Sequence, residues 1–332
     1  MIIKINNIWQ KKIYGRFAHM QKITYVVIAV LAVVALATII FVESFISNTS
    51  VNSNPTQNLS KKLQIVAAEN FWGNLVSQLG GPHVQVLSIV TDPNSDPHEY
   101  ESNTADAQAI ANANYVIVNG AGYDDWALKL ISASTNPNQE LLNVANLLGK
   151  KEGDNPHFWY YPLYVNETVR QMYSDLISLD PADAAYYTQQ YANLNESLGL
   201  YNERIDEIRQ QFAGTKVAST ESIFEYLANA TGLDLVSPPA FMKAASEGND
   251  PPVQSVVQFQ QQLQSGNISV LVYNQQAITP LTQNMKALAA QNNITTVGVT
   301  ETIQPPDVSF QVWMNAELIT LQNALNEKAL GQ

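Results

Sequence analysis

Short apolar runs alternate with segments of helical periodicity from residue 63 onward. The apolar runs are typical of buried strands, and the amphipathic segments between them are typical of helices. The predicted strands of the first half are Leu63–Ala67, Val84–Val90 and Tyr115–Asn119, and the predicted helices are Asn70–Leu79, Ala105–Ala113 and Trp126–Ala133. Strands that alternate with helices in this way predict an α/β lobe with a mainly parallel sheet.

The same alternation resumes after residue 214. Its predicted strands are Lys216–Ser219, Val270–Tyr273 and Thr296–Val299, and its predicted helices are Ile223–Thr231, Val253–Gln264, Leu281–Gln291 and Phe310–Leu330. The pattern therefore predicts an α/β fold made of two (βα) lobes of similar size, each with a mainly parallel sheet.

Between the two lobes, apolar and aromatic residues recur at helical spacing from Leu163 to Phe212, interrupted only around Asp180 and Pro181. We expect Asp180 to cap the second part of this segment and Pro181 to occupy its first position. The helix Ala182–Phe212 would then be about 45 Å long, at a rise of about 1.5 Å per residue. The predicted organisation is a first lobe at 63–178, one long rigid linking helix at 179–213 and a second lobe at 214–332.

The N-terminal region carries an uncharged apolar run, residues 23–42, that follows a basic segment. About 20 apolar residues are enough to cross a bilayer, and the positive charges before them orient the N-terminus toward the cytoplasm. We predict a basic cytoplasmic stub at 1–22, a transmembrane anchor at 23–43 and a flexible linker at 44–62, which places the lobes outside the cytoplasm at the cell membrane. A cleaved signal peptide is the alternative, because Ala35-Leu36-Ala37 resembles a cleavage site.

Composition restricts the chemistry of the chain. Its 332 residues carry a formal net charge of -12, with 17 Lys and Arg against 29 Asp and Glu and no basic stripe, so nucleic acid is not an expected partner. Cysteine is absent from the sequence, so a metal site would have to use nitrogen and oxygen ligands.

Two of the four histidines share one local frame, Asp96-Pro97-His98 and Asn155-Pro156-His157. Proline restricts its own φ angle and the conformation of the residue before it, so each histidine side chain projects from a stiff loop. Imidazole is the commonest protein ligand of divalent transition metals. The pair therefore suggests half of a metal site, whereas His83 after Pro82 indicates only a turn before a strand.

Two glutamates also follow predicted strands: Glu221 in Ser219-Thr220-Glu221, and Glu301 in Val299-Thr300-Glu301. Open α/β sheets place their ligands beyond the carboxyl ends of their strands, so both carboxylates are candidate metal ligands. Their alternative roles are structural: Glu221 as a charge at a helix N-terminus, and Glu301 as a solvated loop residue.

From Leu63 to Leu330 the chain resembles the metal-binding solute receptors of ABC importers for zinc and manganese. The resemblance is carried by five motifs in order: Asp96-Pro97-His98-Glu99-Tyr100-Glu101, Asn119-Gly120-Ala121-Gly122-Tyr123-Asp124-Asp125-Trp126, Asn155-Pro156-His157-Phe158-Trp159, Thr220-Glu221-Ser222-Ile223-Phe224-Glu225-Tyr226, and Val299-Thr300-Glu301-Thr302.

The resemblance implies four metal ligands: His98 and His157 from the first lobe, and Glu221 and Glu301 from the second. Asp307 or a water molecule is the alternative to Glu301. The implied function is capture of a divalent metal, as transported ligand, in the interlobe cleft, and its delivery to an ABC permease in the membrane. A protein of this kind is not an enzyme, and we expect it to be a monomer.

The chain departs from the zinc-specific members in two respects. It has no histidine-rich loop between the first two ligands, and its third ligand position holds Glu221 in place of histidine. More oxygen ligands shift the preference of a site toward manganese or iron, although the order of affinities still favours Zn²⁺ over Mn²⁺. The identity of the metal therefore stays open among zinc, manganese and iron.

Two other functions fit a metal site outside the cell. A metallohydrolase would need an open coordination position and a general base, and the sequence offers only Glu99 beside the first ligand and no HExxH motif. A metal-dependent adhesin is the other alternative, and the sequence neither favours nor excludes it.

Overall fold

The computed structural model describes residues 62–92, 94 and 97–330. The predicted membrane anchor, the basic stub and nearly all of the linker lie outside these residues. Within the described residues, no helix combines the length and the apolar character needed to span a membrane.

The first lobe is built on a four-stranded parallel sheet in the order β2-β1-β3-β4. In the register of this sheet, Ile65 of the central strand pairs with Val86 on one side and with Tyr115 on the other. The elements of this lobe are β1 (Leu63–Glu69), α1 (Asn70–Gly80), β2 (Val84–Val90), α2 (Thr104–Asn112), β3 (Tyr115–Val118), α3 (Asp125–Ala133), β4 (Glu140–Asn143) and α4 (Val144–Leu147).

Two helices connect the lobes, α5 (Pro162–Leu179) and α6 (Ala184–Phe212), with one 3₁₀ turn between them at Pro181–Asp183. The 29 residues of α6 correspond to about 43 Å, so the long linking helix is confirmed. Asp180 and Pro181 occupy the predicted cap and first positions, but of the 3₁₀ turn that precedes α6. The Asp180 side chain makes no capping hydrogen bond there and accepts one from the Tyr187 hydroxyl at 2.8 Å instead.

The second lobe repeats the plan of the first, with a parallel sheet in the order β6-β5-β7-β8. Its elements are β5 (Lys216–Ser219), α7 (Glu225–Thr231), β6 (Asp234–Leu235), α8 (Pro239–Ser246), α9 (Val253–Gln264), β7 (Val270–Asn274), α10 (Pro280–Gln291), β8 (Thr295–Val299) and α11 (Phe310–Leu330). Two parallel sheets joined by a long helix confirm the predicted α/β architecture. The sequence pattern did not predict β4, β6, α4 or α8, all of which have eight residues or fewer.

One hydrophobic core runs through both lobes. It includes Ile65 of the first sheet and Val272 of the second, and Tyr187 and Tyr201 of α6 are fully buried in it. The tyrosines of the linking helix therefore pack between the elements of the two lobes. A core shared in this way resists a wide hinge motion, because opening the lobes would expose the apolar surface that they bury together.

Candidate metal centre

Three of the four predicted ligands, His98, Glu221 and Glu301, lie in segments that follow parallel strands, whereas His157 comes after β4 and the short helix α4. His98 lies in the 3₁₀ turn Pro97–Glu99 after β2, and His157 immediately precedes the turn Phe158–Tyr160. Glu221 follows β5, and Glu301 follows β8. These are the positions at which parallel α/β sheets gather the groups that contact a ligand.

The structure brings three of these side chains together. Ligand atoms of His98, His157 and Glu301 all lie within 4.8 Å of one another. Nε2 of His98 lies 3.6 Å from a carboxylate oxygen of Glu301, and the centroids of the two imidazole rings are 5.7 Å apart. Two nitrogens and one oxygen at this spacing need only small side-chain adjustments to reach the bond lengths of about 2.0 to 2.2 Å found in zinc sites.

The other two candidates lie outside this cluster. Glu221 is buried, with 2% of its surface exposed, but its carboxylate is not part of the group that fits within 4.8 Å. Asp307 is exposed and is not part of it either. Among the described residues, the cluster is therefore a three-ligand arrangement beside a buried carboxylate from the second lobe.

His157 is fully buried, and its orientation is set by Asn155. Nδ1 of His157 lies 2.7 Å from the Asn155 side-chain oxygen, and the His157 backbone N–H donates to that oxygen at 3.1 Å. Burial, and then the proximity of His98, holds the pKa of His157 well below its usual 6.5. In the described part of the chain, its buried Nε2 has no hydrogen-bond partner. The residue is thus a neutral imidazole with a lone pair available to a metal.

His98 forms the more exposed side of the cluster, with 19% of its side chain accessible. Its ring meets the ring of Tyr123 edge to face, with centroids 4.6 Å apart. Behind the imidazoles, Phe71 and Trp159 are stacked with centroids 4.0 Å apart, and both are fully buried. The two histidines are therefore backed by tightly packed aromatic rings, which limit their rotation.

Glu301 is fully buried and held by two side-chain donors. The Tyr123 hydroxyl donates to one carboxylate oxygen at 2.5 Å, and the Asn274 amide donates to the other at 2.5 Å. The backbone N–H of Glu301 donates to the Gln276 side-chain oxygen at 2.7 Å. Tyr123 belongs to the first lobe and Asn274 to the second, so the placement of this carboxylate depends on both.

The residue before Glu301 is fixed by a second buried carboxyl group, Glu317 of α11. One oxygen of Glu317 accepts from the Thr300 backbone N–H at 2.9 Å and from the Trp313 indole N–H at 3.1 Å, and the other accepts from the Tyr160 hydroxyl at 2.7 Å. Burial raises the pKa of Glu317 to about 7, against the effect of these donors. Glu317 thus anchors the turn that carries Glu301.

Another pair of buried carboxyl groups, Glu69 and Asp124, lies close to the cluster. Burial raises the pKa of Asp124 to about 6, and backbone hydrogen bonds from Asn119 at 2.6 Å and Gly120 at 2.8 Å oppose this rise. Burial raises the pKa of Glu69 well above its usual 4.5, with further contributions from the charges of Asp124 and Glu301. We therefore assign the charge of the pair to Asp124 and the proton to Glu69. The charged Asp124 closes the loop 119–124, and this loop delivers Tyr123 to Glu301.

That loop requires unusual backbone conformations. Gly120 has a φ of 77°, and a Cβ atom at this residue would lie 2.4 Å from the Asn143 side-chain oxygen. Glycine avoids both the strain and the clash. The loop is the motif Asn119–Trp126, which the sequence singled out only through the resemblance.

A cleft of about 790 Å³ opens beside the cluster and reaches His98 and Tyr123. Its walls come from both lobes and carry carboxylates, two lysines and a group of tyrosines, namely Lys150, Glu152, Asp154, Tyr161, Tyr164, Glu225, Tyr226, Lys243 and Glu247. Glu99, the candidate base of the hydrolase alternative, is exposed and does not line this cleft.

A second group of metal-type ligand atoms, from His83, Asp180 and Asp183, also fits within 4.8 Å. There, Nδ1 of His83 pairs with the Asp183 carboxylate at 2.7 Å, and about a quarter of each side chain is exposed. The 3₁₀ turn Gly81–His83 directly precedes β2, so the prediction that His83 marks a turn before a strand is confirmed. We interpret this group as a partly exposed ion pair.

Sequence reasoning missed the residues that hold the ligands. Asn155 and Tyr123 lie in two of the five motifs that carry the family resemblance. Nothing in those motifs indicated that Asn155 contacts His157 or that Tyr123 contacts Glu301. Asn274 is the last residue of β7 and Gln276 lies just after it, and their only signal was that position at the carboxyl end of a parallel strand.

Comparison with known proteins identifies the family of the chain. Residues 65–324 match the family model described as zinc-uptake complex component A, periplasmic, or ZnuA. The manganese-binding lipoprotein MntA of Halalkalibacterium halodurans is 27% identical over 184 residues, which are 52% of this chain and 59% of that protein. The iron-binding protein YfeA of Yersinia pestis is 25% identical over 208 residues, 60% of this chain and 66% of that protein. The matches thus span about three fifths of the length of these curated relatives.

Among solved structures, the periplasmic zinc-binding protein TroA from Treponema pallidum has the same fold. The TM-score is 0.68 at 14% sequence identity, and the match covers 80% of this chain and 99% of that one. The family predicted from the five motifs is therefore confirmed by a match over most of the chain, and the chain belongs to the ZnuA family of zinc-uptake components.

Proposed function

We propose that this protein is the extracytoplasmic solute-binding component of an ABC importer, and that it captures a divalent transition metal and delivers it to a membrane permease. The observation that carries the proposal is the cluster of His98, His157 and Glu301, whose ligand atoms lie within 4.8 Å of one another. Membership of the ZnuA family supports the same function. On this proposal the metal is cargo and the protein is a monomer without enzymatic activity.

The proposed ligand set is His98, His157, Glu301 and, in the loaded form, Glu221. Glu221 would join the set after a rotation of its side chain or a small shift of its turn. Two neutral imidazoles and two carboxylates would balance the charge of a dication, which lowers the free energy of holding it in a buried site. Both Zn²⁺ and Mn²⁺ fit such donors, and the binding of manganese by MntA and of iron by YfeA keeps all three metals as candidates.

The structure also supports a route for the cargo. The cleft beside His98 carries the carboxylates of Glu152, Asp154, Glu225 and Glu247, which would attract a hydrated cation. We further propose that residues 23–43 anchor the protein in the cell membrane, with residues 44–62 as a tether that keeps the lobes near the permease.

The test is metal analysis of the purified full-length protein. Wild type, His98→Ala and His157→Ala are freed of metal, dialysed against zinc and manganese in competition and analysed by mass spectrometry. We expect about one bound metal ion in wild type and a large loss in both variants. His83→Ala is the matched control, since it removes a histidine of the ion pair and should keep the wild-type content. Equal metal content in all four proteins would overturn the proposed site.

The same assay assigns the fourth ligand. Glu221→Ala should weaken binding, whereas Asp307→Ala should leave it unchanged, because Asp307 is exposed and lies outside the cluster. The reverse outcome would remove Glu221 from the ligand set.

A further inference from the structure

The side chain of Asn155 contacts a proposed metal ligand in one lobe and the neighbour of another ligand in the second lobe. Its oxygen lies 2.7 Å from Nδ1 of His157 and accepts the His157 backbone N–H at 3.1 Å. Its amide nitrogen donates to the Ser222 carbonyl at 2.8 Å and to the Glu225 carboxylate at 2.9 Å. Ser222 directly follows Glu221, so one amide group lies between two of the proposed ligands.

These partners fix the orientation of the amide. The Ser222 carbonyl and the Glu225 carboxylate are acceptors only, and the His157 backbone N–H is a donor only. The Asn155 nitrogen must therefore face the second lobe, and its oxygen must face His157. An oxygen in that position accepts a hydrogen bond from Nδ1–H, so His157 adopts the Nδ1–H tautomer and keeps the lone pair of Nε2 on the side of the metal cluster.

The backbone of Asn155 is held at the same seam between the lobes. Its carbonyl accepts a hydrogen bond from the Tyr226 hydroxyl at 3.0 Å. The Tyr226 ring, which belongs to the second lobe, lies 5.3 Å from that of Tyr164 and 5.7 Å from that of Tyr161. These packed rings keep Asn155 in place, so its amide acts as a fixed bridge.

We propose that Asn155 is a positioning residue for both lobes: it selects the metal-binding tautomer of His157 and ties that histidine to the turn that carries Glu221. The inference rests on the proposed function, because its purpose is to prearrange a metal site. Hydrogen-bond partners of metal-bound histidines typically contribute about 10- to 100-fold to metal affinity. Asn155 differs from an ordinary partner of this kind because the same side chain also bridges the lobes.

Two substitutions separate the two roles. Asn155→Ala removes both hydrogen-bonding arms. Asn155→Asp keeps an acceptor for Nδ1 of His157, but it replaces the donor to Ser222 with an oxygen and places a second carboxylate beside Glu225. Asn229→Ala is the matched control, since Asn229 is an exposed asparagine that lines the same cleft.

The first measurement is long-range ¹H–¹⁵N NMR of the full-length, metal-free protein labelled on histidine. The sequence has only four histidines, so the signals of His157 can be assigned by substitution. We expect the Nδ1–H tautomer in wild type, Asn155→Asp and Asn229→Ala, and a mixture of tautomers in Asn155→Ala. A single Nδ1–H tautomer in Asn155→Ala would overturn the role of Asn155 at His157. That result is expected if Asn155 only supports the fold, because its loss would then leave the tautomer of His157 unaltered.

The second measurement is the affinity for zinc, determined by competition with a fluorescent chelator. We expect a loss of about 10- to 100-fold in Asn155→Ala, a smaller loss in Asn155→Asp and none in Asn229→Ala. Wild-type affinity in both Asn155 variants would refute the inference while leaving the metal site in place. Absence of both bound zinc and bound manganese in the metal analysis of wild type would instead refute the proposed function, and the tautomer pattern would still report whether Asn155 orients His157.

Discussion

Replacement of Glu317 by glutamine should make the protein more stable at alkaline pH than the wild type. Glu317 is a buried carboxyl group whose pKa is raised by burial from 4.5 to about 7. The folded state therefore favours its protonated form. The stability that this preference contributes is fully present below pH 4.5, and it is lost as the pH rises through about 7.

The magnitude follows from the two pKa values. A rise of the pKa from 4.5 to about 7 corresponds to about 3 kcal/mol between the protonated and the ionised folded states. Glutamine has the shape of the protonated acid and does not titrate. Its oxygen can accept from Thr300 and Trp313, and its amide can donate to the Tyr160 hydroxyl, whose own proton can then point to the Thr300 carbonyl at 2.8 Å. The variant should therefore keep the packing around the turn and lose only the pH dependence.

The assay is equilibrium unfolding by urea of the metal-free wild type and of Glu317→Gln, followed by tryptophan fluorescence. The measured quantity is the difference between their free energies of unfolding, at about pH 4.5 and at about pH 8. We expect this difference to change by about 3 kcal/mol between the two conditions, in favour of the variant at the higher pH. Other titrating groups are common to both proteins and cancel in the comparison.

A difference that is the same at both pH values would refute this reasoning. It would show that Glu317 titrates in the folded protein as it does in the unfolded chain. A change in favour of the wild type at high pH would show that the hydrogen-bond donors around the carboxylate outweigh the effect of its burial.

Further predictions concern the histidines and the aromatic core behind them. Burial holds the pKa of His157 well below 6.5, so its imidazole should stay neutral between about pH 7 and pH 6. The NMR signals of its ring nitrogens should therefore not change over this range. A titration of these signals with a midpoint near 6.5 would contradict this prediction. Phe71→Ala should lower the free energy of unfolding by about 3 to 5 kcal/mol and weaken metal binding, because the fully buried Phe71 ring stacks on Trp159 behind His157. The control, Leu200→Ala, truncates a side chain that is 68% exposed and should change the free energy of unfolding little. Equal losses in the free energy of unfolding of the two variants would refute this prediction.

The order of strands and helices was predictable because buried strands and amphipathic helices leave distinct periodicities. The exceptions are short or exposed elements. In β4, Glu140 and Leu141 are both exposed, so this edge strand has no apolar run, and β6 has only two residues. The partner of Asp180 was not predictable either, because capping by Asp180 and its contact with the Tyr187 hydroxyl compete for the same carboxylate.

The candidate ligands could be predicted in part because stiff loops and strand ends leave local signals. Pro97 and Pro156 mark the loops of His98 and His157, and Glu301 follows a clear strand. Their spatial arrangement depends on distant residues: Tyr123, which donates to Glu301, precedes it by 178 positions. The absence of Glu221 from the cluster was not predictable, because a position after a strand does not fix where the carboxylate lies relative to the other ligands.

The most direct test of the proposed metal centre is a crystal structure of the protein soaked with zinc, with anomalous scattering measured at the zinc absorption edge. We expect one dominant peak at about 2.0 to 2.2 Å from Nε2 of His98, Nε2 of His157 and a carboxylate oxygen of Glu301, with Glu221 turned toward it. A dominant peak elsewhere, such as between His83 and Asp183, or no ordered peak at the cluster would contradict it.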